Sequence, residues 1–389
     1  MRLVVLLGMF LSAVSTARAE ISISIHYLKY EAPAPPTLSN LDPTPEDEGI
    51  AGAQVGLADN LTTGKFLGHG YDLTVTTVPQ DGDLAAAARA ALSETPYLLV
   101  DAPADKLLAL ADLPEAQGAL IFNVSAEDIG LRSADCRANL LHTAPSHAMR
   151  SDALAQFLLF KRWGDLALIV GPHAKDRAFA AALHRSAAKF QLRIRGEKTW
   201  AFDADMRRNA AQEVPLFVQD LPKHDILLVA DEIGDFGRYV LFNTWEPRPI
   251  AGSEGMTPVA WSPAVEQWGA AQLQSRFEEA SARPMRPADY SAWAAIRTLG
   301  EAVTRTSRAD VGVLRDYILS DAFELAGFKG RPLSFRHWNG QMRQPIPIVH
   351  PRAVVATAPL EGFLHQRNEL DTLGLDAPES SCSAFGDRK

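Results

Sequence analysis

SDALAQFLLFKRWGDLALIVGPHAKDRAFAAALHRSAAKFQLRIR, residues 151–195, decides the fold. Leu154, Phe157, Leu158 and Trp163 recur at helical spacing over 151–163, with Ser146 a candidate cap upstream and Gly164 ending the run. Residues 166–170 form a short apolar run suited to a strand buried on both faces. Helical spacing returns over 176–190, and residues near 192–195 read as the next strand. Strand, helix and strand in this order are the unit of a parallel, helix-flanked sheet.

The same alternation runs upstream. Residues 21–27 alternate like a strand and enter a loop holding Pro35, Pro36, Pro43 and Pro45. Residues 48–60 predict a helix whose Gly49, Gly52 and Gly56 pack closely on a sheet; they do not form GxGxxG, so they do not signal a dinucleotide. A strand at 71–78, a helix at 83–92, a strand at 97–100, a helix at 104–111 and a strand at 119–122 follow. After a linker at 142–146 and the opening stretch, a helix near 206–213 and a strand at 226–230 complete a second round. Two α/β lobes are expected. Helices at 265–280 and 290–304 come next, with Trp268, Leu273, Phe277, Trp293, Ile296 and Leu299 as core, then strand-like stretches at 332–335, 346–349 and 353–357 and a polar tail.

The N-terminus reads as an address. Arg2, the apolar run 3–14 and the triplet Ala17-Arg18-Ala19 match a cleavable secretory signal over residues 1–19, ending before Glu20. No Cys stands there to accept a lipid, so a soluble periplasmic protein is expected. In 389 residues, 22% are charged and 47% hydrophobic, ordinary for a globular chain with room for two lobes. The net charge of -9 without a local basic run argues against nucleic acid as a partner. The chain has two cysteines, Cys136 and Cys382, and an oxidising compartment predicts one disulfide between them; two unpaired thiols are the alternative.

Ligands of open parallel sheets bind outside the carboxyl ends of strands. That rule nominates the turns at Asp101-Ala102-Pro103, Asn123-Val124-Ser125, Gly171-Pro172-His173, Asp231-Glu232 and Trp261-Ser262. Asn123 and Ser125 offer hydrogen bonds, Asp231 and Glu232 can hold a cation or ammonium group, and Trp261 offers an apolar or cation-attracting face. The structural alternatives are a helix cap for Asn123 and Ser125, a solvated turn for Asp231 and Glu232, and hinge packing for Trp261. HExxH, GxSxG, Walker and CxxC motifs are all absent. His142 and His147 flank Ala144-Pro145 and read as linker polar groups, while His173 lacks an evident partner acid. No catalytic residue, metal site or cofactor is expected.

The helix EGIAGAQVGLADN (48–60), the entry HTAPSHAMRSDALAQFLLFKRWGDLALIVGP (142–172), and DYSAWAAIRTLGEAVTRT (289–306) followed by FKGRPLSFRHWNGQMRQPIPI (328–348) resemble the periplasmic ligand-binding proteins of the leucine/isoleucine/valine type that serve ABC importers. The phrases 265–293 and 123–146 look like the subgroup associated with PQQ-dependent alcohol dehydrogenase systems. The resemblance implies a type I periplasmic-binding-protein fold, with two Rossmann-like lobes joined by three hinge crossings near 141–145, 258–261 and 343–347. Lobe 1 would comprise 20–143 plus 262–344, lobe 2 144–261 plus 345–375, and 376–389 a tail. It implies a monomer that traps a small polar ligand for an inner-membrane ABC permease, or an accessory or sensor protein that binds a periplasmic quinoprotein dehydrogenase. One departure stands out: Val100-Asp101-Ala102-Pro103 replaces the glycine- and serine-bearing turn that grips an amino acid's charged ends. Asp101 would repel a carboxylate.

Overall fold

The computed structural model describes residues 21–32, 43–201 and 209–386, so the expected signal segment lies outside the described residues. The chain first forms β1 (Ile21–Tyr30), α1 (Ile50–Leu67), β2 (His69–Val78), α2 (Leu84–Glu94), β3 (Tyr97–Asp101), α3 (Ala104–Ala111), β4 (Leu120–Asn123) and β5 (Leu140–His142). Their strands pair in parallel in the order β2-β1-β3-β4-β5. Leu98, Leu99, Val100, Leu120, Ile121 and Phe122 are fully buried, which is why the central strands read as unbroken apolar runs.

A second round builds α4 (His147–Phe160), β6 (Asp165–Val170), α5 (Ala174–Lys189), β7 (Arg193–Thr199), α6 (Ala210–Val218), β8 (Ile226–Ala230), α7 (Gly237–Val240), β9 (Ile250–Gly252) and β10 (Thr257–Pro258). The second sheet is also parallel, in the order β7-β6-β8-β9. The helix α4 starts before residue 151 because the Ser146 hydroxyl accepts the Met149 amide at 3.2 Å and opens the first turn there. Part of the helix expected near 206–213 falls outside the described residues; the described turn runs Ala210–Val218.

The chain then returns to the first sheet with α8 (Ala270–Ser281), α9 (Pro287–Thr306), α10 (Val311–Ile318), β11 (Ser334–Phe335) and β12 (Met342–Arg343). Finally β13 (Ile346–His350) and β14 (Ala353–Ala358) form an antiparallel sheet with β10. The glycine face of α1 meets a helix, not chiefly a sheet: a Cβ on Gly52 would stand 1.9 Å from the Asp289 carbonyl oxygen of α9. Only a residue without a Cβ permits that approach. Neither α10 nor β5 nor β9 was signalled by periodicity, since each is short and its neighbours are irregular. No helix of the described residues is long and apolar enough to cross a membrane.

Three stretches connect the two sheet bodies and lie side by side. The His142 amide donates to the Gly340 carbonyl at 2.9 Å, the Gln344 side chain donates to the Thr143 carbonyl at 2.8 Å, and the Val259 amide donates to the Pro347 carbonyl at 3.0 Å. They coincide with the expected crossings. The tail is fastened to the first body by a Cys136–Cys382 disulfide spanning 246 residues, and the Ser380 hydroxyl donates to the Arg132 carbonyl at 2.8 Å. Closing so long a loop restricts the unfolded chain. Replacing both cysteines by Ser should lower stability by about 2–4 kcal/mol, read from urea unfolding beside the oxidised wild type. Identical midpoints would show that the bridge adds nothing to stability.

Candidate functional site

The carboxyl ends of both parallel sheets face one cleft of about 520 Å³. One wall comes from Tyr30 at the end of β1, Asp101 to Asp105 after β3, and Ser125 to Asp128 after β4; the other comes from Ala174, Lys175 and Ala178 on α5 and Glu232 after β8, with His147 between them. The sequence-nominated residues divide sharply here. Asp101, Ser125 and Glu232 line the cleft, and the other four do not.

Each of the four has a physical reason to face elsewhere. Asn123 is fully buried; its Oδ1 accepts the Ser125 and Ala126 amides at 3.2 and 2.8 Å, and its Nδ2 donates to the Ala126 carbonyl at 2.7 Å. It shapes the loop that presents Ser125. Asp231 is not a cation holder: its carboxylate accepts the amides of Gly234, Asp235, Phe236 and Gly237 at 2.9, 3.1, 3.0 and 2.6 Å. Trp261 is core, stacked on Tyr290 with centroids 4.8 Å apart while its Nε1 donates to Gln274 at 2.9 Å. His173 caps α5, with its amide on Asp176 at 3.0 Å and its Nε2 3.3 Å from Asp235, the partner acid that its sequence neighbourhood did not reveal.

Glu232 reaches the cleft, but its charge is already compensated. Arg150 of α4, itself buried, holds Glu232 through Nη1 at 2.5 Å and Nη2 at 3.0 Å, and Ser253 adds a hydroxyl at 2.7 Å. The same Nη1 donates to Glu127, and the Arg150 Nε donates to the Pro258 carbonyl at 3.1 Å. One guanidinium therefore joins a carboxylate from each body to a hinge crossing. His147 adds an Nδ1 3.1 Å from Glu127 Oε2, so this residue belongs to the floor of the cleft and not to a solvated linker. The residues missed from the sequence are Tyr30, Glu127, His147, Arg150 and Lys175. For Glu127 the strand-end rule was signal enough, since it lies two residues beyond Ser125; Arg150 carried none, because it sits inside an apolar helix.

Glu127, His147 and Glu232 bring one ligand atom each within 4.8 Å of one another. The guanidinium already fills the positive role between the two carboxylates, so the trio is a bridged ion cluster. Burial would raise the Glu127 carboxyl, but Arg150 and His147 outweigh it and hold it at about 2, against 4.5 when free. A depressed carboxyl stabilises the fold above its free value and loses that contribution as pH falls toward the folded value. Wild-type stability should therefore decline as pH drops from about 4.5 to about 2. Arg150→Ala should cost about 3–5 kcal/mol at pH 7, because it leaves two carboxylates together without a buried counter-charge. Urea unfolding across that pH range checks both, and a variant with wild-type midpoints would remove Arg150 from the account.

No family model matches the sequence, and no curated protein matches it significantly. Solved structures do match. A branched-chain amino acid ABC transporter periplasmic ligand-binding protein from Burkholderia xenovorans LB400 superposes with a TM-score of 0.70 at 14% identity, over 94% of this chain and 100% of that one. A leucine-, isoleucine-, valine-, threonine- and alanine-binding protein from Brucella ovis, in a closed conformation, gives 0.66 at 14% identity over 93% and 98%. A periplasmic binding protein from Burkholderia mallei gives 0.65 at 14% identity over 94% and 99%. With its two parallel sheets, three crossings and a shared cleft, the chain has the type I periplasmic-binding-protein fold.

Proposed function

We propose that this chain is a solute-binding protein that captures a small polar ligand between two lobes, 20–143 plus 262–344 and 144–261 plus 345–375, and presents the closed form to an ABC importer in the inner membrane. One observation carries the reading: loops at the carboxyl ends of both sheets line a single cleft across hydrogen-bonded crossings. Binding, not chemistry, is the task assigned to it. A ligand shifts open and closed populations only by its differential affinity for the closed state, so contacts from both walls are needed. Asp101 and Ser125 on one wall, with Lys175 and the bridged Glu232 on the other, are the residues in place to make them. The solved neighbours named for branched-chain amino acids support the importer reading.

The likeness of residues 123–146 and 265–293 to proteins of PQQ-dependent alcohol dehydrogenase systems supports a place beside periplasmic alcohol oxidation. A thermal-shift screen of amino acids, amines, alcohols, aldehydes and carboxylic acids tests the assignment. A ligand at 100 times its Kd adds about 2.7 kcal/mol to stability, a clear rise in Tm. Absence of any shift, together with a stable complex formed with a periplasmic quinoprotein dehydrogenase, would replace the importer reading by an accessory or sensor role.

A further inference from the structure

Five carboxylates line the cleft, and their situations differ. Glu127 and Glu232 share Arg150, while Asp105 and Asp128 are exposed to water. Asp101 is half-buried at the end of β3, and among the described residues no Lys, Arg or His nitrogen lies at ion-pair distance from it. Lys29 is turned to the carbonyls of Glu46 and Glu48 at 2.7 and 3.1 Å. Lys175 stands on the opposite wall. Behind Asp101 the buried Tyr27 hydroxyl has no hydrogen-bond partner, and Glu48 and Asp289 add further negative charge around it. Burial pushes the Asp101 carboxyl up, with Ser125, Lys29 and Lys175 opposing. It is a carboxylate lacking a close cation, placed where a ligand enters.

The helix that follows would ordinarily welcome an anion at its start. Here α3 opens with Asp101 three residues before its first residue and Asp105 in its first turn, so an incoming carboxylate meets negative charge on both sides of those amides. A metal ion needs several free anionic oxygens converging on it. Asp101 has only the Ser125 hydroxyl beside it, and the Glu127 and Glu232 carboxylates are occupied by the guanidinium. An ammonium group needs one carboxylate and neutral acceptors. Small side chains at Ala102, Ala126, Ala174 and Ala178 leave room for a short aliphatic body beyond it.

Building on the solute-binding assignment above, we propose that the ligand carries an organic ammonium group that docks on Asp101 and bears no carboxylate on the adjacent carbon. Lys175 across the cleft can serve a carboxylate only at the far end of such a molecule. Because the ammonium requires ionised Asp101, affinity falls as pH drops, beginning above the usual carboxylate range.

Calorimetry with a four-carbon set tests this on the full chain: n-butylamine, 4-aminobutanoate, 2-aminobutanoate and butanoate, at pH 7.5 and pH 5. The first two should bind, more weakly at pH 5, and the last two should not. Asp101→Asn should weaken both by tenfold or more while its near-ultraviolet circular dichroism stays wild-type and its ligand-free Tm does not fall; Asp101→Glu should recover part of the affinity. Preference for 2-aminobutanoate or butanoate, unchanged amine binding by the Asn variant, binding of calcium or zinc in place of amines, or no binding of either amine would each overturn the proposal. The solute-binding assignment falls separately, when the wider thermal-shift screen is also silent.

Discussion

A single buried guanidinium holds the region where the two bodies meet. Arg132 is 1% exposed and has no carboxylate among the described residues at ion-pair distance. Its Nε donates to Gln341 Oε1 at 2.7 Å, Nη1 to the Ala126 and Asp128 carbonyls at 2.8 and 3.1 Å, and Nη2 to the Ala144 carbonyl at 2.9 Å. Burial pulls its pKa down to about 9 despite Asp128 and Glu127. A charge kept in such a place must have its donors satisfied, and these acceptors supply that. Gln341 passes the constraint on, donating from Nε2 to the His142, Ala144 and Met342 carbonyls at 3.3, 3.1 and 3.1 Å. Two crossings and the Ser125–Asp128 loop thus take their relative positions from one side chain, and the tail joins them through the Ser380 bond to the Arg132 carbonyl.

The same logic of prior satisfaction sorts the polar residues of the cleft. Asn123 and Asp231 look like ligand groups by position, yet each spends its acceptors on the backbone amides of its own turn. They determine where neighbouring side chains stand. Ser125 and Asp101 face the ligand space because their loops are held from behind. Function on this scaffold therefore falls to residues whose hydrogen-bonding capacity the fold has not consumed.

Much of the architecture was legible because its signals are local. The apolar runs of β3, β4, β6 and β8 and the helical spacing of α4 and α5 follow from burial on two faces or one stripe, and the two cysteines could be paired by compartment. The site was legible only as loops. Strand ends located Asp101, Ser125 and Glu232, but which side chain turns inward depends on partners far along the chain: Arg150 for Glu232, 82 residues away, and Gln274 for Trp261. His147 was misread because Pro145 hides the start of α4, which the Ser146 cap creates immediately after it. Long-range pairing of polar groups leaves no periodic trace in a sequence.

The two cations of the cleft region act on the lobes in opposite ways. Arg150 already joins Glu127 of one body to Glu232 of the other, so their approach has a favourable term that owes nothing to ligand. A ligand on such a scaffold need supply only the difference that remains between open and closed states, a few kcal/mol in most two-state systems. Lys175, unlike Arg150, stands across the cleft from a half-buried carboxylate that no close cation answers. Closure without ligand would bring Asp101 toward that wall with its remaining hydration lost, and the cost rises as water is removed. Arg150 thus favours closure while Asp101 opposes it until something positive fills the space in front of it. That opposition is what makes closure conditional on occupancy, which a carrier must have if its empty and loaded forms are to differ.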